Sequence, residues 1–390
     1  MKKYILLVFF VLLFLLSDVS YLIHGVRCTY LRGESSAQID DYKFFHTRPV
    51  SSDNTYFLPV GKNFSDNVKN SKLDSLLVAS KSVAFLVFQK DSLRVESYWQ
   101  NTNKNSKTNS FSMAKSIVSV LIGSAIKEGY IKSVDQSIFD FVPEMKKRSF
   151  LGHDVKIKHL INMSSGYDWL ENYKRPISVT AKAYYGKNIR HLILNKKFVE
   201  EPGKIHRYSS GSTQLLGIVL ERAVKESVSD FTGRVLWSKI GANESALWSL
   251  DREGGMEKVF CCFNSSARDF LKFGVLMLDG GFSRVTKEDV VSKEYFNWLL
   301  SVPKLIDGKK NTDSYVDYYS NGWWVADVLD RNIFYARGFL GQWIVVIPSL
   351  DLVFVRLGKK DNQETELKNS YMLTDNLLFT IKSVIEDFSL

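Results

Sequence analysis

The stretch NSFSMAKSIVSVLIGSAIKEG, residues 109–129, combines a polar start with a long apolar pattern of helical period. Its apolar positions recur at spacings of three and four residues and comprise Ile117, Val118, Leu121, Ile122, Ala125 and Ile126. Gly129 then supplies a stop for the helix. A helix with so many apolar residues is predicted to be central in the fold and buried.

Ser112 and Lys115 lie one turn apart at the start of this predicted helix. Burial would partly desolvate the lysine, lower its pKa and let it act as a base beside the serine hydroxyl. The backbone N–H of Ser112, at a helix start, would be free to bind an oxyanion. However, serine is also a favoured cap, and Ser-x-x-Lys recurs at 301–304. The spacing alone therefore favours a capped helix over a catalytic pair.

A second segment, PGKIHRYSSGSTQLLGIVLERAV at 202–224, places Tyr208 and Ser210 just before another amphipathic helix. A tyrosine at such a junction can serve as general acid or base if a neighbouring ammonium lowers its pKa. Taken alone, an aromatic residue before a helix is more typical of a packing anchor. The order of the two segments makes the catalytic interpretation more specific than either segment does.

Strand patterns occur at both ends of the chain, and helical patterns lie between them. SVAFLVFQ (82–89) and LRVESYWQ (93–100) predict a hairpin. Three further strands and a final helix are predicted near the C-terminus, at 332–337, 342–348, 350–357 and about 368–387. We therefore predict an α+β fold: one antiparallel sheet built from both ends of the chain, flanked by helices, with a helical lobe inserted at about 133–300.

Composition limits the possible partners. The chain has 390 residues and a formal net charge of +10. It shows no Lys/Arg block or zinc-finger spacing, so no nucleic-acid partner is expected. The six histidines are scattered, and neither a metal nor another cofactor is expected. The adjacent Cys261 and Cys262 are not expected to bridge each other, because such neighbours rarely do and the geometry is strained, whereas a bridge from Cys28 to either stays open. The default interpretation of all three is a buried or inert thiol.

The N-terminus has the features of an export segment. Lys2 and Lys3 precede an unbroken apolar run at 4–16, which is typical of a secretory signal. The poor cleavage signal favours an uncleaved membrane anchor at 4–23, about the roughly twenty residues that a span needs. We therefore predict an exported, periplasmic or otherwise extracytoplasmic protein. The predicted division of the chain is a signal peptide or anchor at 1–26, an N-terminal extension at 27–75 and the main domain at 76–390.

The motifs together resemble those of the serine β-lactamase-like hydrolases, which include class C β-lactamases, D-alanyl-D-alanine carboxypeptidases and their esterase and amidase relatives. SMAK at 112–115 and YSS at 208–210 carry the resemblance, and a glycine-bearing strand near the C-terminus completes it. The resemblance covers about residue 76 to the C-terminus. YARGFLGQ at 335–342 is similar to the branch that includes 6-aminohexanoate-dimer hydrolase. It implies a β-lactamase/penicillin-binding-protein-like fold.

The resemblance also implies a role for each matching residue. Ser112 would be the nucleophile, Lys115 would take its proton, and Tyr208 would work with Lys115 as acid and base, protonating the leaving group. The backbone N–H groups of Ser112 and Phe339 would form the oxyanion hole. Ser210 and the strand that ends at Gly338 would contact the substrate.

Two departures from the family pattern affect the expected substrate. The third motif, Lys-Thr-Gly in β-lactamases, reads Ala336-Arg337-Gly338, so Arg337 is the candidate to replace the missing lysine charge. The second motif ends in Ser210 where many members have Asn, and serine has one fewer donor. Both departures favour hydrolysis of a small ester or amide. A muropeptide D-alanine carboxypeptidase, a β-lactamase and a catalytically silent penicillin-binding-like sensor are the alternatives.

Five further residues are candidates for the site. Asp168 and Glu171 are interpreted as part of a solvated loop, and His206 as a surface histidine. Trp323 or Trp324 could line the cleft or belong to the core. The sequence carries no signal for an oligomeric state.

Overall fold

The computed structural model describes residues 20–309, 314–361 and 373–389. The strands are β1 Thr47–Val50, β2 Val60–Ser65, β3 Ser82–Gln89, β4 Ser92–Tyr98, β5 Thr108–Asn109, β6 Ile205–His206, β7 Ala246–Ser249, β8 Phe263–Ser265, β9 Ile306–Asp307, β10 Trp324–Asp327, β11 Asn332–Gly338, β12 Gln342–Ile347 and β13 Leu352–Gly358. The helices are α1 Tyr21–Cys28, α2 Ser71–Ala79, α3 Met113–Lys127, α4 Ile157–Ile161, α5 Val179–Tyr185, α6 Ile189–Leu194, α7 Ser210–Val224, α8 Val228–Thr232, α9 Ala267–Leu278, α10 Lys293–Leu300 and α11 Asp375–Phe388.

The main sheet has seven strands in the order β10-β11-β12-β13-β3-β4-β2. Strand β13 pairs antiparallel with β3, so the two ends of the chain meet at the centre of the sheet, as the sequence predicts. Within this seven-stranded sheet, as far as the chain is described, the edge pair β2 and β4 is the only parallel one. The predicted hairpin and the three C-terminal strands are confirmed, and the α+β class is confirmed with them.

Alternation along the strands gives the sheet two apolar faces. Leu86 and Phe88 of β3 belong to a large core that also contains α3, α7 and α9. Phe85 and Val87 face the opposite side, where α2 and α11 cover them. Because successive strand residues point to opposite faces, a continuous apolar run such as 83–88 requires helices on both sides.

Helix α3 is buried in the large core, as its apolar pattern predicts. Every residue from Met113 to Ala125 is buried. It contacts α7, β11 and β12, so its start lies beside the end of the glycine-bearing strand.

The region predicted as a helical lobe at 133–300 also contains strands. β7 and β8 pair with each other, with β1 on one side and β5 on the other, in a second sheet of order β1-β7-β8-β5. The sequence prediction missed this sheet. Its strands have two to four residues, too few for an alternating pattern to stand out.

The chain before residue 75 packs against the main body. Helix α1 lies against α5, and the Tyr21 hydroxyl donates to the Pro176 carbonyl at 3.1 Å. The boundary predicted at residue 26 falls within this helix. The apolar run at 4–16 lies outside the described residues, so most of the predicted anchor does too. Among the described residues, none of the helices has the length and apolarity needed to cross a bilayer.

The expectation is wrong for Cys261 and Cys262 and confirmed for Cys28 as a buried thiol. Cys261 and Cys262 form a disulfide with each other, and Cys28 is a buried free thiol. Cys262 adopts a φ of 68°, and this left-handed conformation lets the two neighbouring side chains meet.

Candidate active site

The serine at the start of α3 is not used as a helix cap. Ser112 occupies the N-cap position, yet its side chain caps no backbone N–H. Phe111, just before it, has a φ of 44°, and its N–H donates to Asn109 Oδ1 at 2.9 Å. The backbone therefore turns sharply at 111 and leaves the Ser112 hydroxyl free for another partner. The capped-helix interpretation of this serine is excluded.

That partner is Lys115, which is only 4% exposed. Its Nζ lies 3.0 Å from Ser112 Oγ and 3.0 Å from the carbonyl oxygen of Phe260. Burial lowers the pKa of Lys115 to about 8, against the opposing effect of the Glu171 carboxylate. A useful fraction of this lysine is therefore neutral near neutral pH, as a general base requires.

Tyr208 lies on the other side of the lysine. Its ring centroid is 5.0 Å from Lys115 Nζ, and its ring packs on Tyr319 and Trp324. Burial raises the pKa of Tyr208, and this exceeds the lowering that hydrogen bonding with Ser112 produces. The direction is opposite to the expected lowering by an ammonium. A neutral phenol serves as a proton donor, not as the resting base.

Glu171 belongs to the site, although the sequence interpretation assigned it to a solvated loop. Its two carboxylate oxygens accept from the Ser210 N–H at 2.7 Å and from the Ser210 hydroxyl at 2.8 Å. The Trp169 indole N–H donates to it at 2.9 Å. It also acts electrostatically on Lys115 and Tyr208, since it raises the pKa of both.

Ser210 is therefore committed to Glu171 in this structure. The cap of α7 is the preceding residue, Ser209, whose side chain accepts from the Ser212 N–H at 3.0 Å. Because Ser209 caps the helix, the Ser210 hydroxyl and N–H can both point to the carboxylate. Ser210 still lines the cleft that contains Ser112.

The end of β11 comes very close to the backbone just before Ser112. A Cβ placed on Gly338 would lie 2.2 Å from the Ser110 carbonyl oxygen, so only glycine fits there. This approach brings Phe339 to the same cleft as Ser112, and the rings of Phe111 and Phe339 contact at 5.5 Å.

A buried arginine fixes the loop that carries Phe339. Arg356 is fully buried, and it donates to the carbonyl oxygens of Leu340 at 2.8 Å and Gly341 at 2.7 Å. It also donates to the Ser80 carbonyl oxygen and the Ser82 hydroxyl. Sequence reasoning missed this residue. A charged residue inside the apolar strand LVFVRLG was the available signal.

Arg337 lies on the opposite face of β11 from the large core. Its neighbour Ala336 is buried in that core, whereas Arg337 lies with its guanidinium 5.9 Å from the Trp324 ring centroid. It is not among the residues that line the cleft beside Ser112, although its charge lowers the pKa of Tyr208. Trp323 is core, and Trp324 contacts Tyr208.

Two other predicted positions are resolved by their burial. His206 is buried, with Nδ1 3.1 Å from the Asn162 carbonyl oxygen and its ring against Tyr319, so the surface interpretation is wrong. Asp168 is exposed and pairs with Lys196 at 3.7 Å, away from the site. Within the described ranges, no group of His, Cys, Asp and Glu side chains is placed to hold a metal ion.

The arrangement contains the parts of an acyl-transfer site. The Ser112 hydroxyl lies beside the Lys115 amine, whose pKa is lowered, and the Tyr208 phenol packs next to that amine. The glycine-dependent backbone turn at Gly338 lies beside this group. Of these groups, the Ser112 hydroxyl lies on the wall of a cleft of about 180 Å³. A serine activated by a neutral lysine can attack a carbonyl carbon, and a neutral tyrosine can protonate the group that leaves.

Comparisons with known proteins point to one family. The family model described as Beta-lactamase matches residues 76–375. A 6-aminohexanoate-dimer hydrolase from Paenarthrobacter ureafaciens is 25% identical over 315 residues, which cover 75% of this chain and 76% of the relative.

Solved structures agree on the fold. A Bacillus anthracis protein provisionally described as a 6-aminohexanoate-dimer hydrolase aligns with a TM-score of 0.72 at 21% identity, covering 92% of both chains. EstCE1, described as a hydrolase with promiscuous acyltransferase activity, aligns with a TM-score of 0.59 at 14% identity and covers 79% of this chain and 97% of its own.

Proposed function

Since the chain belongs to the Beta-lactamase family, we propose that it is an exported serine hydrolase that cleaves a small ester or amide through an acyl-enzyme. The observation that carries this proposal is the contact between the buried Lys115 ammonium and Ser112 Oγ at 3.0 Å. A sensor or binding protein has no need for a lysine of lowered pKa next to a serine that caps nothing.

In the acylation step, neutral Lys115 accepts the Ser112 proton while Oγ attacks the substrate carbonyl carbon. The carbonyl oxygen becomes an oxyanion, and the backbone N–H groups of Ser112 and Phe339 stabilise it. The bond to the leaving alcohol or amine then breaks, and the Tyr208 hydroxyl donates the proton that the leaving group needs. Lys115 returns its proton toward Tyr208. Water then attacks the carbonyl carbon of the acyl-enzyme by the same steps, which releases the acid and restores Ser112.

The third motif supports an ester or amide over a β-lactam or a peptide carboxylate. Ala336 stands where β-lactamases carry lysine, and it is buried in the core. Arg337 lies toward Trp324 on the other face of the strand. The names of two relatives, a 6-aminohexanoate-dimer hydrolase and the hydrolase EstCE1, are in keeping with this choice.

Export and anchoring by residues 4–23 are part of the proposal. Their support is the basic start followed by the apolar run at 4–16. In cells that express the full chain, the protein should pellet with membranes and resist extraction with alkaline carbonate. Recovery in the soluble fraction at its full mass would contradict the anchor.

A fluorophosphonate probe and p-nitrophenyl acetate test the enzyme proposal. We expect the wild type to be labelled and to hydrolyse the ester, with nitrocefin turned over far more slowly. Ser112→Ala should abolish both labelling and hydrolysis. The matched control is Ser301→Ala, which removes the serine of the second Ser-x-x-Lys and should leave both unchanged. A folded wild type that is not labelled would overturn the proposal.

A further inference from the structure

The cleft beside Ser112 continues as a trough between two helices. From α1 it is lined by Leu22, Gly25, Val26 and Thr29, which share one helix face because their spacing is three and four residues. From α5 it is lined by Thr180, Ala181, Tyr184 and Tyr185. The N-terminal helix, which lies outside the matched family region at 76–375, therefore builds one wall of the cleft.

Aromatic rings connect this trough to the reacting serine. Phe111, which directly precedes Ser112, contacts Phe339 at 5.5 Å, and Phe339 stacks on Tyr173 at 6.2 Å. Tyr173 and Tyr30 both line the cleft and are 56% and 66% exposed. These rings thus extend from the nucleophile to the surface, in a cleft that Lys174 and Arg175 also line.

We propose that this trough binds an apolar arm of the substrate, so that the substrate is an ester or amide with a linear hydrocarbon chain near its carbonyl group. The inference rests on the proposed function. The trough is continuous with the reacting serine, since Ser112 and residues of the two helices border the same cleft. At about 180 Å³, the cleft is below the roughly 300–1,000 Å³ of pockets that enclose drug-sized ligands, which favours one narrow chain over a fused ring system.

The close packing of the helices sets the width of the trough. A Cβ placed on Gly25 would already contact the Tyr185 ring at 3.4 Å. Leu22, partly exposed, faces the same space. A larger side chain at Leu22 should obstruct the trough without touching the serine, lysine or tyrosine of the site.

Two ester series test the inference with the full-length protein. One is p-nitrophenyl esters from acetate to decanoate, and the other is acetates of primary alcohols of the same lengths, followed by acid release. The first series should respond if the trough binds the acyl chain, and the second if it binds the alcohol chain. In the series that responds, kcat/KM of the wild type should rise about fourfold for each methylene that becomes buried, until the trough is full. The acetate of the p-nitrophenyl series is the short reference substrate.

Leu22→Trp should lower kcat/KM for the hexanoyl or hexyl ester at least tenfold, and should lower the ratio of kcat/KM for that ester to kcat/KM for the acetate. The matched control is Ile23→Trp, which adds the same bulk to the same helix at a position 48% exposed and outside the cleft. Leu22→Ala, which cannot clash, should reduce the dependence on chain length. Labelling of Ser112 by a small fluorophosphonate reports whether each variant is folded.

If kcat/KM of the wild type does not depend on chain length in either series, the inference is overturned. That result is expected if the apolar run at 4–16 fills the trough. Equal effects of Leu22→Trp and Ile23→Trp on the long ester would also overturn it. If the wild type neither hydrolyses the acetate nor labels at Ser112, the proposed function itself fails. A hydrolysed acetate with no chain-length dependence removes the inference alone.

Discussion

Replacing Lys115 by methionine should inactivate the protein and stabilise it at the same time. The lysine is 4% exposed and its pKa is lowered from 10.5 to about 8, with burial as the main cause. At pH 7 the ammonium is charged in both the folded and the unfolded chain, so the folded state carries the desolvation cost. A shift of this size corresponds to about 3 kcal/mol of folding free energy.

Methionine removes that cost but also removes two hydrogen bonds. The Phe260 carbonyl and Ser112 Oγ lose the lysine as partner, at roughly 1 kcal/mol each. The net expectation is that Lys115→Met is more stable than the wild type by about 1–2 kcal/mol at pH 7, while ester hydrolysis falls about 10³-fold or more because the base is gone.

The sign of the pH dependence is the sharper test. Because the folded pKa lies below the unfolded value, the unfolded chain binds more protons between pH 8 and 10.5, and the wild type gains stability as pH rises through that window. The advantage of Lys115→Met should therefore shrink, and reverse, from pH 7 to pH 10. The measurement is the midpoint of urea unfolding for both proteins at each pH. A variant less stable than the wild type at pH 7, by an amount independent of pH, would refute the desolvation argument.

Three further changes separate the roles of the other site residues. Glu171→Gln should move the rising limb of kcat/KM, near pH 8 in the wild type, to lower pH, because the carboxylate raises the pKa of Lys115; a shift to higher pH would contradict this. Gly338→Ala should reduce ester hydrolysis at least tenfold, since its Cβ would meet the Ser110 carbonyl at 2.2 Å; unchanged turnover would show that the turn adapts. Tyr208→Phe should lower kcat for alkyl esters by about 10²–10⁴-fold and much less for p-nitrophenyl esters, whose leaving group needs no proton; equal losses would exclude it as the acid.

The main sheet and the buried helix could be predicted because their signals are local and long. The six consecutive apolar residues of β3 and the apolar stripe of α3 are each long enough to define an element and its burial. The short strands β7 and β8 could not be found, because they are stabilised by pairing with distant segments. Their boundaries depend on tertiary contacts more than on local preference.

The candidate site shows the same division. Ser112, Lys115 and Tyr208 are recognisable because each stands at the start of a strong helix pattern. Glu171 lies in an irregular loop, and its role arises only where that loop meets Ser210. His206 is a similar case, because the neighbouring sequence does not indicate that its side chain is buried against Tyr319. Arg356 can be recognised in the sequence as a charged residue within a strand. Its role depends on its hydrogen bond to the Leu340 carbonyl oxygen, in a loop sixteen residues earlier.

The two departures in the motifs have one electrostatic consequence. Ser210 directs both its N–H and its hydroxyl to Glu171, so the second motif here fixes an acidic group beside the nucleophile. The third motif supplies no lysine to the cleft, and Arg337 lies toward Trp324. A substrate carboxylate at this end of the cleft would meet a fixed negative charge at short range in a partly desolvated site, where repulsion is strong. Lys174 and Arg175 also line this cleft, so the repulsion applies to the end of the cleft at Ser210. The electrostatics at Ser210 are therefore in keeping with the neutral ester or amide that we propose as the substrate.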